Sequence, residues 1–337
     1  MKSLALFMLL LSINTSFGQT ADELFDLGMT FHQSNPSKAI QYYTKTISEA
    51  PYYASAYFNR GLLYFQDEAY EKAKLDFETT VKISPKDAEA FENLASTLFQ
   101  IKQYKKAKDN YDKAIQLNPY SSDLFLNRAI CKSILQDKSA VQDFIKALEI
   151  NARNTDALRC YGDYLLDKKD NKQAMSYYNQ AIQLNPNDAE AYNSRGKLNW
   201  SLGLMSKAIQ DFTKAINLED NYQFLVNRGL LFQENNQMDE AFSDLIAAIQ
   251  LQPNDLSAYN GLGFLFLDKK DYSKALQYFD FGINRTDNSV DAIKGHLEAC
   301  IGSNLYKKAI LDCKNILRIL PNDNFAKEKL RFCESKI

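Results

Sequence analysis

Two histidines, five cysteines and two runs reading Leu-Asp-Lys-Lys-Asp are the residues of this chain whose types could do chemistry. His32 and His296 stand near opposite ends, so neither meets a local partner for general acid–base work or metal ligation. The chain carries no HExxH helix, no CxxC pair, no GxxxxGKS or GxxxxGKT loop and no GxSxG elbow. Local signatures of zinc hydrolysis, dithiol exchange, phosphate cradling and serine hydrolysis are therefore missing. Gly261-Leu262-Gly263 falls inside a helical pattern rather than after a strand, which makes it a packing feature. The runs at 166–171 and 267–272 alternate acid with lysine between two helical stretches, as solvated turns do. Cys131, Cys160, Cys300, Cys313 and Cys333 are odd in number and irregular in phase, which is no disulfide framework. Cys300 and Cys313 leave two readings open, a disulfide between facing helices or two buried thiols acting as small apolar groups, and the second is preferred. The expectation is a noncatalytic chain with no catalytic residues, no cofactor and no metal.

What positions these residues is a repeat. Ala39, Ala73, Ala107, Ala140, Ala174, Ala208, Ala241, Ala275 and Ala309 recur every 33 or 34 residues. Four residues after each stands a large side chain, from Tyr43 and Phe77 to Phe279, with Cys313 in the last; seven after stands mostly a small one, with Ile316 as the exception. Offsets of 0, 4 and 7 share one face of a helix. Eleven or twelve residues before the alanine lies Gly28, Gly61, Ala95, Ala129, Gly162, Gly196, Gly229 or Gly263, inside a second helical run. Glycine costs a helix about 0.5–1 kcal/mol against alanine, so its recurrence predicts close approach of the facing helix, with the small alanine as the partner it meets. Pro51, Pro85, Pro119, Pro186, Pro253 and Pro321 mark the joints between pairs.

The pattern resembles the tetratricopeptide repeat over residues of about 20 to 321, carried in one period by Tyr57, Gly61, Tyr64, Ala73, Phe77 and Pro85. Ala152, Asp220 and Asp287 depart from it at the proline, and Leu297, Cys313 and Ile316 depart in the ninth period, which predicts altered packing there. The resemblance implies an all-α, right-handed superhelical solenoid of antiparallel helix pairs. Its expected windows are 20–53, 54–87, 88–121, 122–154, 155–188, 189–221, 222–255, 256–289 and 290–321, followed by a capping helix over 322–337. There Phe325, Leu330 and Phe332 are available for one face.

Residues 1–18 combine an early lysine, an apolar run from Leu4 to Leu11 and a small-residue site at Ser16-Phe17-Gly18, so they read as a cleavable signal peptide. The expected product is exported, periplasmic or secreted, and starts near Gln19, with no membrane span after cleavage. A formal net charge of -2, from 40 Lys and Arg against 42 Asp and Glu, gives no general attraction to nucleic acid.

In such a solenoid the first helix of each pair lines the inner surface, and the resemblance implies which phases point inward. They are Phe58, Leu62, Phe65, Glu92, Ser96, Phe99, Leu126 and Ile130, then Asp156, Arg159, Asp163, Asp167, Asn193, Lys197 and Trp200, then Val226, Leu230, Asn260, Phe264 and Leu267. Aromatics in a line at inward phases suit anchors for a peptide or helix of a protein partner; burial against neighbouring first helices is the competing account. The expected function is protein–protein interaction through this groove. The alternative is a structural subunit of an envelope assembly, using the convex surface and the C-terminal helix, with self-association through that helix.

Overall fold

The computed structural model describes residues 19–283 and 289–337. The expected signal peptide and Asp287 lie outside the described residues. Among those described the secondary structure is helical throughout: α1 (Ala21–Phe31), α2 (Pro36–Glu49), α3 (Ala54–Gln66), α4 (Tyr70–Ile83), α5 (Ala88–Gln100), α6 (Tyr104–Leu117), α7 (Ser122–Ile134), α8 (Ala140–Ile150), α9 (Thr155–Asp167), α10 (Asn171–Leu184), α11 (Ala189–Ser201), α12 (Met205–Leu218), α13 (Tyr222–Glu234), α14 (Met238–Leu251), α15 (Leu256–Asp268), α16 (Tyr272–Ile283), α17 (Val290–Gly302), α18 (Tyr306–Ile319) and α19 (Asn324–Glu334). None of these is long and apolar enough to cross a membrane.

Each pair forms because its two helices carry complementary faces. All nine recurrent alanines are fully buried, as are Tyr43, Phe77, Tyr178, Phe212 and Phe279. The glycines meet these rings, or Leu245 in the case of Gly229, and not the alanines, and this corrects the sequence expectation. A Cβ on Gly61 would lie 2.9 Å from Phe77 Cε1, one on Gly162 2.6 Å from Tyr178 Cε1, and one on Gly263 2.6 Å from Phe279 Cε1. A facing methyl would leave room for a side chain, whereas a ring laid flat on the helix does not. In the ninth repeat the roles are exchanged: Leu297 takes the glycine place, Cys313 the ring place, and both are fully buried. Large faces small in either case, so the two departures compensate and the helix pair is retained.

Starts and stops are equally regular. Side chains of Thr20, Asp87, Ser121, Asp188, Asn221, Asp255 and Asp323 cap first helices or α19 by accepting from a free backbone N–H of the first turn. From the second pair on, first helices end on a left-handed residue: Glu68, Lys102, Gln136, Lys169, Gly203, Asn236, Lys270 and Asn304 have φ of 56–71°. The residue after it returns its N–H to a carbonyl five back, as Ala69 does to Tyr64 O at 2.8 Å and Gln103 to Leu98 O at 2.8 Å.

Two compact modules divide the chain, one up to Cys160 and one from Tyr161 to Ile337. Helices α1–α8 build the first, around residues such as Tyr43, Leu63, Phe77, Tyr111 and Phe144. Helices α10–α19 build the second, with one core cluster around Leu245, Leu262 and Phe279 and another joining Ile293, Leu297, Cys300, Cys313 and Ile316 to Ala326 and Cys333 of α19. The inner face of α19 is thus centred on Ala326 and Cys333; Phe325 and Leu330 are half-buried beside them, and Phe332 is left 42% exposed.

Candidate functional site

One pocket on first-helix surface lies in the first module. It measures about 190 Å³ and is lined by Ser96, Phe99 and Gln100 of α5, Tyr111 of α6, and Asn127 and Ile130 of α7. Side chains of three successive helices, α5, α6 and α7, share its lining. The Ser96 and Tyr111 hydroxyls meet at 3.0 Å, and burial pushes the Tyr111 phenol far up, so it stays a neutral donor or acceptor. One turn before Ser96, burial and then the like charges of Asp123 and Glu89 raise the Glu92 carboxyl above its usual range. The pocket has an apolar wall, Phe99 and Ile130, and a rim of hydroxyl and amide groups. Such a lining accepts an apolar side chain while hydrogen-bonding the backbone beside it. It holds no nucleophile–base pair.

The other residues expected to face inward are placed as follows. Phe58, Phe65 and Phe99 are half-buried and stand edge-on to Phe77, Tyr70 and Tyr104 at 5.8, 5.4 and 5.2 Å. Leu62 is half-buried, and Leu126 is withdrawn into the core. Arg159 donates to Asp156 at 3.0 Å, and Asp163 accepts the Tyr178 hydroxyl at 2.7 Å. In the second module Asn193 is buried and accepts from Asn227 Nδ2 at 2.8 Å, while Lys197 is exposed. Trp200 is half-buried, edge-on to Phe212 at 6.4 Å, and its Nε1 donates to Glu234 at 2.6 Å. Leu230 is half-buried, Phe264 stands edge-on to Phe279 at 5.1 Å, and the buried Oδ1 of Asn260 has no partner among the described residues. The open row of aromatic anchors expected from sequence is therefore a row of half-buried rings, because each leans on a ring of its own pair's second helix. Cys300 and Cys313 are buried free thiols with no disulfide between them. Cys300 Sγ instead lies 3.7 Å from His296 Nδ1.

Sequence reasoning missed a recurrent ionic clamp. Arg60, Arg128, Arg195 and Arg228 each grip an aspartate of their own second helix, Asp76, Asp143, Asp211 and Asp244, through two bonds of 2.7–3.0 Å. The remaining Nη1 of each donates to the preceding repeat's second helix, at Thr44, Asp112, Asn179 and Thr213. One guanidinium thus ties three helices. The signal is present as Arg followed by Gly or Ala, with Asp followed by a large residue 15 or 16 positions later, and it is visible only once the repeats are aligned in phase.

Comparison with known proteins agrees with this architecture. Profiles described as tetratricopeptide repeat match residues 54–87, 88–121, 189–222 and 226–281, and one described as TPR repeat matches 162–203. The chain is 30% identical over 142 residues to human tetratricopeptide repeat protein 6, a stretch that is 42% of this chain and 27% of that protein. It is 27% identical over 194 residues to Xenopus laevis tetratricopeptide repeat protein 37, covering 55% of this chain and 12% of that one. The chain thus spans a minor part of the length of these relatives. Among solved structures, a tetratricopeptide repeat protein from Parabacteroides merdae superposes with a TM-score of 0.66 at 20% identity, over 74% of this chain and all of that one. The Cut9–Hcn1 hetero-tetramer of the APC/C superposes with 0.63 at 17% identity, over 88% and 59%.

Proposed function

This chain belongs to the tetratricopeptide-repeat family, a family of protein-interaction scaffolds, and from that premise we propose that it is a noncatalytic scaffold binding a peptide or helical segment of a partner on its first-helix surface. The pocket of Ser96, Phe99, Gln100, Tyr111, Asn127 and Ile130 carries the reading. It combines an apolar wall with a rim of hydroxyl and amide groups. The segment it suits places one apolar side chain between α5 and α7, with backbone amides against Gln100 and Asn127. The half-buried rings on either side serve as a rigid apolar bed, since each is fixed by its neighbour.

The test is site-specific photocrosslinking. A benzophenone amino acid at Gln100 is expected to capture the partner, and the same group at Leu75, which is 61% exposed on α4, is expected to capture none. Capture from Leu75 alone would reject this surface.

A second reading, a structural subunit working through outer faces and the C-terminal helix, draws on the exposure of Phe332, Ile337, Leu305 and Leu320 around α19. It requires Phe332→Glu to abolish assembly while Ile130→Asp leaves it intact. We also propose an extracytoplasmic site of action, supported by the composition of residues 1–18.

A further inference from the structure

The ninth repeat departs from the ionic clamp in a way that chemistry makes legible. In the fourth repeat Asp143 is held by Arg128 and, one turn later, by Lys132 Nζ at 2.8 Å. In the sixth, Asp211 is held by Arg195 and, one turn later, by Asn199 Nδ2 at 2.8 Å. The three corresponding places of the ninth repeat are His296 and Cys300 on α17 and Asp312 on α18. The arginine place holds an imidazole, the place one turn later, which is Tyr64 and Phe232 in the second and seventh repeats, holds a thiol, and the aspartate is kept. His296 Nδ1 lies 2.7 Å from Asp312 Oδ2 and 3.7 Å from Cys300 Sγ. All three side chains are buried, and their ligand atoms lie within 4.8 Å of one another.

We propose that His296 Nδ1, Cys300 Sγ and Asp312 of the ninth repeat form a zinc site in which the metal ion replaces the clamp's guanidinium. The donor set is one nitrogen, one sulfur and one carboxylate oxygen, borderline-soft and suited to Zn²⁺ above other common divalent ions. A tetrahedral zinc with bonds of about 2.0 Å to nitrogen and oxygen and about 2.3 Å to sulfur sets its ligand atoms roughly 3.3–3.5 Å apart. The observed nitrogen–sulfur separation is close to that, and the nitrogen–oxygen pair opens by roughly half an ångström to admit the ion. His and Cys at i and i+4 share one helix face, and the second helix supplies the third ligand. Asp280 Oδ1 lies 3.2 Å from His296 Nε2, as a carboxylate does when it fixes the tautomer of a metal-bound imidazole. Charge closes as well: thiolate and carboxylate neutralise Zn²⁺ in a buried place. Without metal the imidazole takes the guanidinium's place beside Asp312.

The experiment measures zinc bound by the full chain after loading and exhaustive dialysis, with the melting temperature followed in parallel. The wild-type chain is expected to retain one equivalent and to melt higher with zinc. His296→Arg restores the clamp used by four other repeats, so it is expected to fold, retain less than a tenth of an equivalent and show no zinc-dependent shift. Cobalt(II) loading is expected to give visible bands of a low-coordinate site with thiolate charge transfer, lost in Cys300→Ser. If the wild type retains no more zinc than His296→Arg, or if both variants retain the wild-type amount, the proposal is overturned and any metal sits on surface carboxylates.

Discussion

At the scale of the residue, the clamp arginines show how a helical repeat manages a buried charge. Asp244 is nearly buried and Arg228 is its bidentate partner, so Arg228→Ala leaves a carboxylate without its cation. Breaking such a pair is expected to cost about 3 kcal/mol in urea unfolding. The eighth repeat fills the same two places with Leu262 and Tyr278, and the fifth with Tyr161 and Tyr177, whose rings lie 4.8 Å apart. The double change Arg228→Leu with Asp244→Tyr is therefore expected to recover most of the loss, because an apolar pair of similar volume has no charge to desolvate. Asp112 makes the complementary point with pH. Burial raises its pKa, but Lys108 at 2.9 Å and Arg128 at 2.7 Å outweigh that and hold it below its usual value. A lowered folded-state pKa gives stability that is present above the unfolded value of about 3.9 and is lost as pH falls through the folded one. Asp112→Asn is thus expected to flatten the acid limb of the stability curve below about pH 4 and to lower stability at neutral pH.

At the scale of the element, the turn inside each pair from the second to the ninth is set by one left-handed residue, and the sequence uses glycine for it once, at Gly203. Lys102 with φ of 60° and Gln136 with φ of 57° accept that conformation against a cost of about 1 kcal/mol each. Lys102→Gly and Gln136→Gly are expected to raise stability by up to about 1 kcal/mol despite the greater freedom glycine has when unfolded, and Gly203→Ala to lower it by a similar amount. Denaturant midpoints with an unchanged m-value check both directions. The polar joints at 166–171 and 267–272 were legible as turns, but their handedness was not. Backbone sterics permit the left-handed state to any residue at a cost, so without glycine nothing in composition marks the position.

At the scale of the whole molecule, each repeat is stabilised by its neighbour, and the last one needs cover. In the second module α19 supplies it through Ala326 and Cys333, which close over Cys313 and Ile316. Deleting residues 322–337 is expected to lower the melting temperature by about 5 °C and to increase binding of a hydrophobic dye, with the loss confined to the ninth repeat's transition.

The period of 33 or 34 residues, with its invariant alanine, determined by sequence alone that the chain is a series of helix pairs of the tetratricopeptide type. Spacing on a helix is fixed by geometry, so the buried stripe can be read from residue types. Tertiary structure alone decided what meets across the pair. Glycines face rings rather than alanines, aromatic anchors such as Phe65 and Phe99 are half covered by Tyr70 and Tyr104, and Arg60 finds Asp76 sixteen residues away. It also decided that His296, Cys300 and Asp312 converge, because contact between two helices depends on their relative rotation and closeness, and local spacing carries neither.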